Sequence, residues 1–181
     1  EAEIKKLFEV VDKYGIPNIL VNAAAINFTK KNEDISIEEW NSVIQINLTA
    51  SFSLCKEALV RMKKRKRGKI VNISSIAGRH RSLVSGVHYV SSKAGLIGLT
   101  KQLAFEVAKY NINVNAICPS QTMTEMLQES MSQEELKNLV SNIPLNRIAT
   151  VEDQVGMILF LCSDAASYIT GTYIDVNGGQ I

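Results

Sequence analysis

Apolar positions recur along this chain with two different periods, and the switching between them lays out its elements. Ile4, Leu7, Phe8 and Val11 fall at helical spacing with Gly15 following as a stop, so residues 1 to 14 read as an amphipathic helix. No cap residue precedes it, and the expectation is that the sequence opens inside a larger protein. Asn18 to Asn22 reads as a short apolar strand, left through the tight run Ala23-Ala24-Ala25. Ser36-Ile-Glu-Glu39 resembles a capping box, and the apolar positions from Trp40 through Val43, Ile44 and Leu48 predict one long helix to about Arg61. Lys63-Lys-Arg-Lys-Arg67 then sits where the macrodipole favours cations, and Gly68 is the expected stop. Lys69 to Gly78 reads as a buried strand and a Gly-ended turn, and residues 79 to 87 as an aperiodic loop. A second long helix is expected from Tyr89 to about Tyr110, and a strand over Ile112 to Ile117 that runs into Pro119. Residues 126 to 140 suit one or two short helices serving as a lid, followed by a helix from Val151 to Ser163 and a last strand from Tyr173 to Val176.

Helix and apolar strand therefore alternate four times. That pattern argues for an α/β fold with a parallel sheet and helices on both of its faces. Neither a repeat nor a second composition appears, so residues 1–181 read as a single domain.

Composition narrows the function classes. The chain has 46% hydrophobic and 21% charged residues and a formal net charge of +2, which is ordinary for a globular protein and gives no field for nucleic acid or an anionic membrane. The basic run at 63 to 67 reads as a solvated helix end. No apolar run approaches a spanning length, so neither a membrane partner nor a signal peptide is expected, and the expected location is cytoplasmic. Cys55, Cys118 and Cys162 are odd in number and far apart, which predicts free thiols. His80 and His88 lack a clustered carboxylate or cysteine in sequence, so no metal site is expected.

The chemistry is concentrated in Tyr89-Val-Ser-Ser-Lys93. Residues four apart share a helix face, so a phenol and an ammonium stand side by side there. A neighbouring positive charge favours the phenolate and makes the tyrosine a usable general acid or base. Ser75, after the strand at 69 to 73, falls where a parallel strand's carboxyl end faces the ligand crevice. Asn47 is an amide inside an apolar helix, and Asn22 closes a strand; each taken alone also suits a structural role.

Together, Asn47, Ser75, Tyr89 and Lys93, with Pro119 after the next strand and Asp175-Val-Asn-Gly-Gly179 near the end, resemble the short-chain dehydrogenase/reductase family over essentially the whole chain. The resemblance implies the C-terminal portion, about four strands, of a Rossmann-like doubly wound parallel sheet. The first Gly-rich βαβ unit, which cradles the dinucleotide pyrophosphate, would lie before residue 1. It implies an oxidoreductase moving hydride between NAD or NADP and a carbonyl or secondary alcohol, on a small-molecule substrate such as a 3-oxoacyl thioester or a sugar or polyol. Asn47, Ser75, Tyr89 and Lys93 would be catalytic, with Ser74 as a rival for the Ser75 role and Asn47 completing a water relay to Lys93. Cofactor contacts would come from Asn22, Ala24, Tyr89, Lys93, Pro119, Thr122 and Thr124. Ala23, Ala25 and Ser120 depart from the family's usual residues. A homodimer or homotetramer built on the two long helices is implied, and a non-catalytic oligomerisation or nucleotide-binding role is the alternative. The strand at 18 to 22 would lack a partner from its own chain.

Overall fold

The computed structural model describes residues 2–82, 84–123 and 132–181. Four parallel strands, β1 (Ile19–Asn22), β2 (Gly68–Ile73), β3 (Ile112–Pro119) and β4 (Tyr173–Val176), lie side by side in sequence order. The register runs Ile19 to Lys69, Ile73 to Ile117 and Pro119 to Val176. Strand β1 is therefore paired along one edge by β2, against the expectation that it has no partner in its own chain; the next strand in sequence supplies that partner through a helical crossover. The edge of β1 away from β2 has no partner among the described residues.

Alternation along the strands divides the apolar residues between two faces. Ile70, Ile112 and Val114 pack with Phe8, Cys55, Leu59, Met62 and Ala104, under α1 (Ala2–Val11), α3 (Ala50–Arg65) and α4 (Val87–Val107). Val71 and Ile117 turn to the other face and meet Leu161 and Ala166, with Met157 and Ile158 of the C-terminal helix Val151–Cys162. Leu20 joins the first cluster, while Ile19 and Val21, pointing the other way, stay 47% and 39% exposed. Helix α1 is held to α3 by Phe8, whose ring lies 4.6 Å beneath the Arg61 guanidinium, and by the Arg61 fork on Asp12 at 2.6 and 2.7 Å.

The long helix is interrupted. Helix α2 (Ile37–Ile44) passes into a π turn over Gln45–Thr49 before α3 begins, so one extra residue is accommodated around Asn47. Its C-terminal stop is also not Gly68: Lys66 takes the left-handed conformation at φ 55° and caps the helix. Gly68 opens β2 instead, where a Cβ would stand 2.4 Å from Met62 Sδ. Within the expected lid region the chain forms α5 (Gln133–Ser141), with Ser132 and Glu135 making a reciprocal capping box; residues 126 to 131 lie outside the described residues. The C-terminal helix Val151–Cys162 is α6, capped by Thr150 and Asp153 in the same way. No described helix is long and apolar enough to cross a membrane.

Candidate active site

The site forms where β2 ends against the first turns of α4. Ser74 donates to the Lys93 carbonyl at 2.8 Å and is buried, which ties the turn after β2 to the helix backbone. The turn then tightens into a 3-10 segment, Ile76–Gly78, that presses directly on α4. A Cβ on Gly78 would stand 2.7 Å from the Lys93 carbonyl carbon and 2.9 Å from Ala94 N, so only glycine lets the two backbones meet. Ser75 accepts from Ala77 N at 3.1 Å and keeps its own O–H to give away. Ser74 is spent on the helix, and the Ser75 hydroxyl is the one beside the Tyr89 phenol.

Tyr89 and Lys93 lie on successive turns of α4, with the ammonium 5.6 Å from the phenol ring centroid. Lys93 is 2% exposed and gives one N–H to the Ile73 carbonyl at 2.7 Å. Burial pulls its pKa down to about 8, opposed by the neighbouring Cys118. The phenol behaves differently from the expectation that the lysine lowers its pKa. Burial pushes Tyr89 up, with the Ser75 hydroxyl opposing, while Lys93 gives its N–H to the Ile73 carbonyl.

Asn47 is fully buried and spends its amide on the loop after β1. Its Oδ1 accepts from Ile26 N at 2.8 Å, while Nδ2 donates to Ile26 O at 2.9 Å and to Ser92 Oγ at 3.1 Å. Ser92 in turn donates to the Tyr89 carbonyl at 2.7 Å, so the π turn is coupled to the tyrosine's own helix turn. Asn22 enters a buried cluster instead, giving to Asn72 Oδ1 at 2.8 Å and to Cys55 Sγ at 3.3 Å, and Asn72 gives to Thr100 at 2.9 Å. The Asn22 Oδ1 atom is buried without a partner among the described residues. Ala24 is exposed at the exit from β1. Pro119 ends β3, and Cys118 just before it lies beside Ser74 and Lys93. Thr122 bridges to Ala149 and receives Gln154 Nε2 at 3.3 Å; Thr124 lies outside the described residues. A hollow of about 130 Å³ beyond the ends of β3 and β4 takes in Ser120 and Asn177 but none of Ser75, Tyr89 or Lys93, so the chemistry and not the hollow defines the site.

One pair was missed in sequence. His88, expected to stand apart from any carboxylate, is fully buried with Nε2 3.1 Å from Glu39 Oε1. Lys30 also pairs with Glu39 and is the main cause holding that carboxyl below its usual range. The sequence signal was obscured because Glu39 reads as the reciprocal half of a capping box, of which only Ser36 accepting from Glu39 N at 3.2 Å is present.

A parallel sheet with a tyrosine, lysine and serine gathered at the carboxyl end of a strand is the arrangement of a nucleotide-dependent oxidoreductase. The family model described as Enoyl-(Acyl carrier protein) reductase matches residues 1–180. The 3-oxoacyl-[acyl-carrier-protein] reductase FabG of Aquifex aeolicus is 42% identical over 99% of this chain and 72% of its own length. Among solved structures, ElxO with NADP bound superposes with a TM-score of 0.91 at 32% identity, covering 98% of this chain and 72% of that one. A 3-oxoacyl-[acyl-carrier protein] reductase from Brucella melitensis with bound NAD gives 0.90 at 31%, over 98% and 68%. The chain belongs to the short-chain dehydrogenase/reductase family, whose members are NAD(P)-dependent oxidoreductases.

Proposed function

We propose that this chain carries the catalytic residues of an NAD(P)-dependent reductase of 3-oxoacyl thioesters, with Tyr89 as the proton donor, Ser75 and Lys93 as its partners and Asn47 as their support. The observation that carries the reading is the meeting of Ser75, Tyr89 and Lys93 at the end of β2; the substrate class rests on the similarity to the two 3-oxoacyl reductases. When bound, the nicotinamide supplies hydride to the carbonyl carbon. Tyr89, kept protonated by burial, gives its proton to the carbonyl oxygen, and the free Ser75 O–H donates to the same oxygen. Lys93 has N–H bonds left beyond the one on Ile73, and these fit a ribose hydroxyl. The unpartnered Asn22 Oδ1, the small exposed Ala24, and Pro119, Thr122 and Thr124 complete the proposed cofactor contacts. Because Asn47's amide is committed to Ile26, any water it holds for a relay to Lys93 rests on its carbonyl, which also accepts from Ser51 at 3.2 Å.

The test uses the full-length enzyme with acetoacetyl-CoA and either NADPH or NADH, followed by nicotinamide absorbance. Tyr89→Phe is expected to lower turnover by about two orders of magnitude or more with cofactor affinity kept. Equal rates for variant and wild type would refute the assignment, and absence of turnover with any ketone would favour a non-catalytic nucleotide-binding role. We further propose a homodimer or homotetramer through α3 and α4, where Phe52, Val60 and Phe105 are 45%, 52% and 83% exposed. Light scattering at micromolar concentration tests it, and a monomer there would refute it. On this reading residues 1–181 belong to a single domain that includes a Gly-rich unit before residue 1, and the three free thiols suit the cytoplasm.

A further inference from the structure

The first turn of α4 begins at Gly86 without a side-chain cap, although its third residue is Tyr89. The Tyr89 N–H is one of the orphan donors at a helix start, and it is taken by the side chain just before it: His88 Nδ1 accepts it at 2.8 Å. For Nδ1 to accept, the imidazole must carry its proton on Nε2, and that atom faces Glu39 Oε1 at 3.1 Å. Glu39 comes from α2 and is in turn paired with Lys30.

The imidazole is built in tightly. It is 0% exposed, and the Phe28 ring lies 6.1 Å away at 60°. A Cβ on Gly86 would fall 2.6 Å from His88 Cε1, so the glycine leaves the space into which the ring folds. Around it the loop after β1 is laced to the loop before α4: Gly86 N donates to Phe28 O at 3.1 Å and Thr29 Oγ1 to Val84 O at 2.8 Å.

We propose that Lys30, Glu39 and His88 form a positioning chain, in which the carboxylate selects the imidazole tautomer that holds the Tyr89 backbone N–H and so aims the phenol at Ser75. This rests on the catalytic role given to Tyr89 above. None of the three touches a reacting atom. Their effect is on aim, because the phenol is carried at the end of a long side chain and a small turn of the first helical residues moves its oxygen away from the substrate. Misplacement on that scale lowers rates by up to about a hundredfold.

The experiment has two arms in the full-length enzyme. Imidazole nitrogen NMR reads the tautomer directly: a protonated Nε2 and an accepting Nδ1 on His88 are expected in the wild type, and loss of that single tautomer in Glu39→Ala. The opposite tautomer in the wild type would overturn the proposal whatever Tyr89 does. The second arm measures acetoacetyl-CoA reduction. His88→Leu is expected to lower kcat about tenfold to a hundredfold with KM and cofactor affinity little changed. His88→Asn, which returns an acceptor to the Nδ1 position, should recover most of that loss. Glu39→Ala should lower kcat alone and cost nothing further when added to His88→Leu, since both break one chain. An impaired His88→Asn equal to His88→Leu, or additive losses, would overturn the proposal. If His88→Leu fails to fold, Glu39→Ala decides, and wild-type kcat in it overturns the chain. Failure of the catalytic reading is separate, because it appears as full turnover in Tyr89→Phe.

Discussion

Replacing Lys93 by methionine keeps an unbranched side chain of nearly the same length and removes its charge, and the structure sets the expected consequence. The ammonium is almost entirely buried, and burial lowers its pKa from 10.5 to about 8. At about 1.36 kcal/mol per pH unit, that drop is a destabilisation of about 3 kcal/mol wherever the lysine is charged in both states. The sign follows from proton counting. Below about pH 8 folded and unfolded chains both hold the proton, and the fold bears the whole cost. Between about 8 and 10.5 the folded lysine has shed its proton while the unfolded one keeps it, so stability rises with pH. Above that window the cost is gone. At neutral pH, Lys93→Met escapes the charge burial but strands the Ile73 carbonyl, worth about 1 to 3 kcal/mol, so the net change is small. The pH dependence is the sharper quantity. Urea unfolding of both proteins through this window should show wild type gaining about 3 kcal/mol on Lys93→Met as pH rises. A difference between them that stays flat to within about 1 kcal/mol would show that the ammonium is better solvated than its surroundings imply.

Other perturbations separate the scaffold from the chemistry. Gly78→Ala must push the turn after β2 away from Lys93 and Ala94, at a cost of about 1 to 3 kcal/mol in unfolding and a clear loss of turnover; unchanged values for both would refute the close contact. Asn72→Ala removes the acceptor of Asn22 and the donor to Thr100 in a buried cluster, and urea titration should show a loss of about 2 to 3 kcal/mol. A change under about half a kcal/mol would mean that the cluster is already solvated.

The strands and most helices were legible because each carries one period: the run from Lys69 to Ile73 reads as a buried strand, and the structure sends Ile70 and Val71 to its opposite faces. Tyr89 and Lys93 were legible as a pair from their helical spacing, and Ser75 joined them as a set through the resemblance to the family. What was illegible depended on contacts between distant segments. Glu39 obeys the local capping pattern, yet its carboxylate is claimed by Lys30 and His88. The end of α3 looked like Gly68, whereas Lys66 adopts the left-handed conformation while Met62 occupies the space a Cβ on Gly68 would need. The phenol's upward shift likewise comes from the packing around it, which a list of nearby charges does not contain.

The π turn at Gln45–Thr49 gives this chain an uncommon kind of editability. A π turn is an α-helix holding one residue too many, so deleting a single residue there lets α2 and α3 join as a regular helix with both flanks left in phase. Elsewhere in a helix the same deletion would rotate everything beyond it by about 100° and turn buried faces outward. Length at this point is therefore a variable that the fold tolerates and the site does not: a shortened chain would keep its core while Asn47 lost its hold on Ile26. Insertions and deletions, usually read as damage to architecture, would here act as a functional mutation.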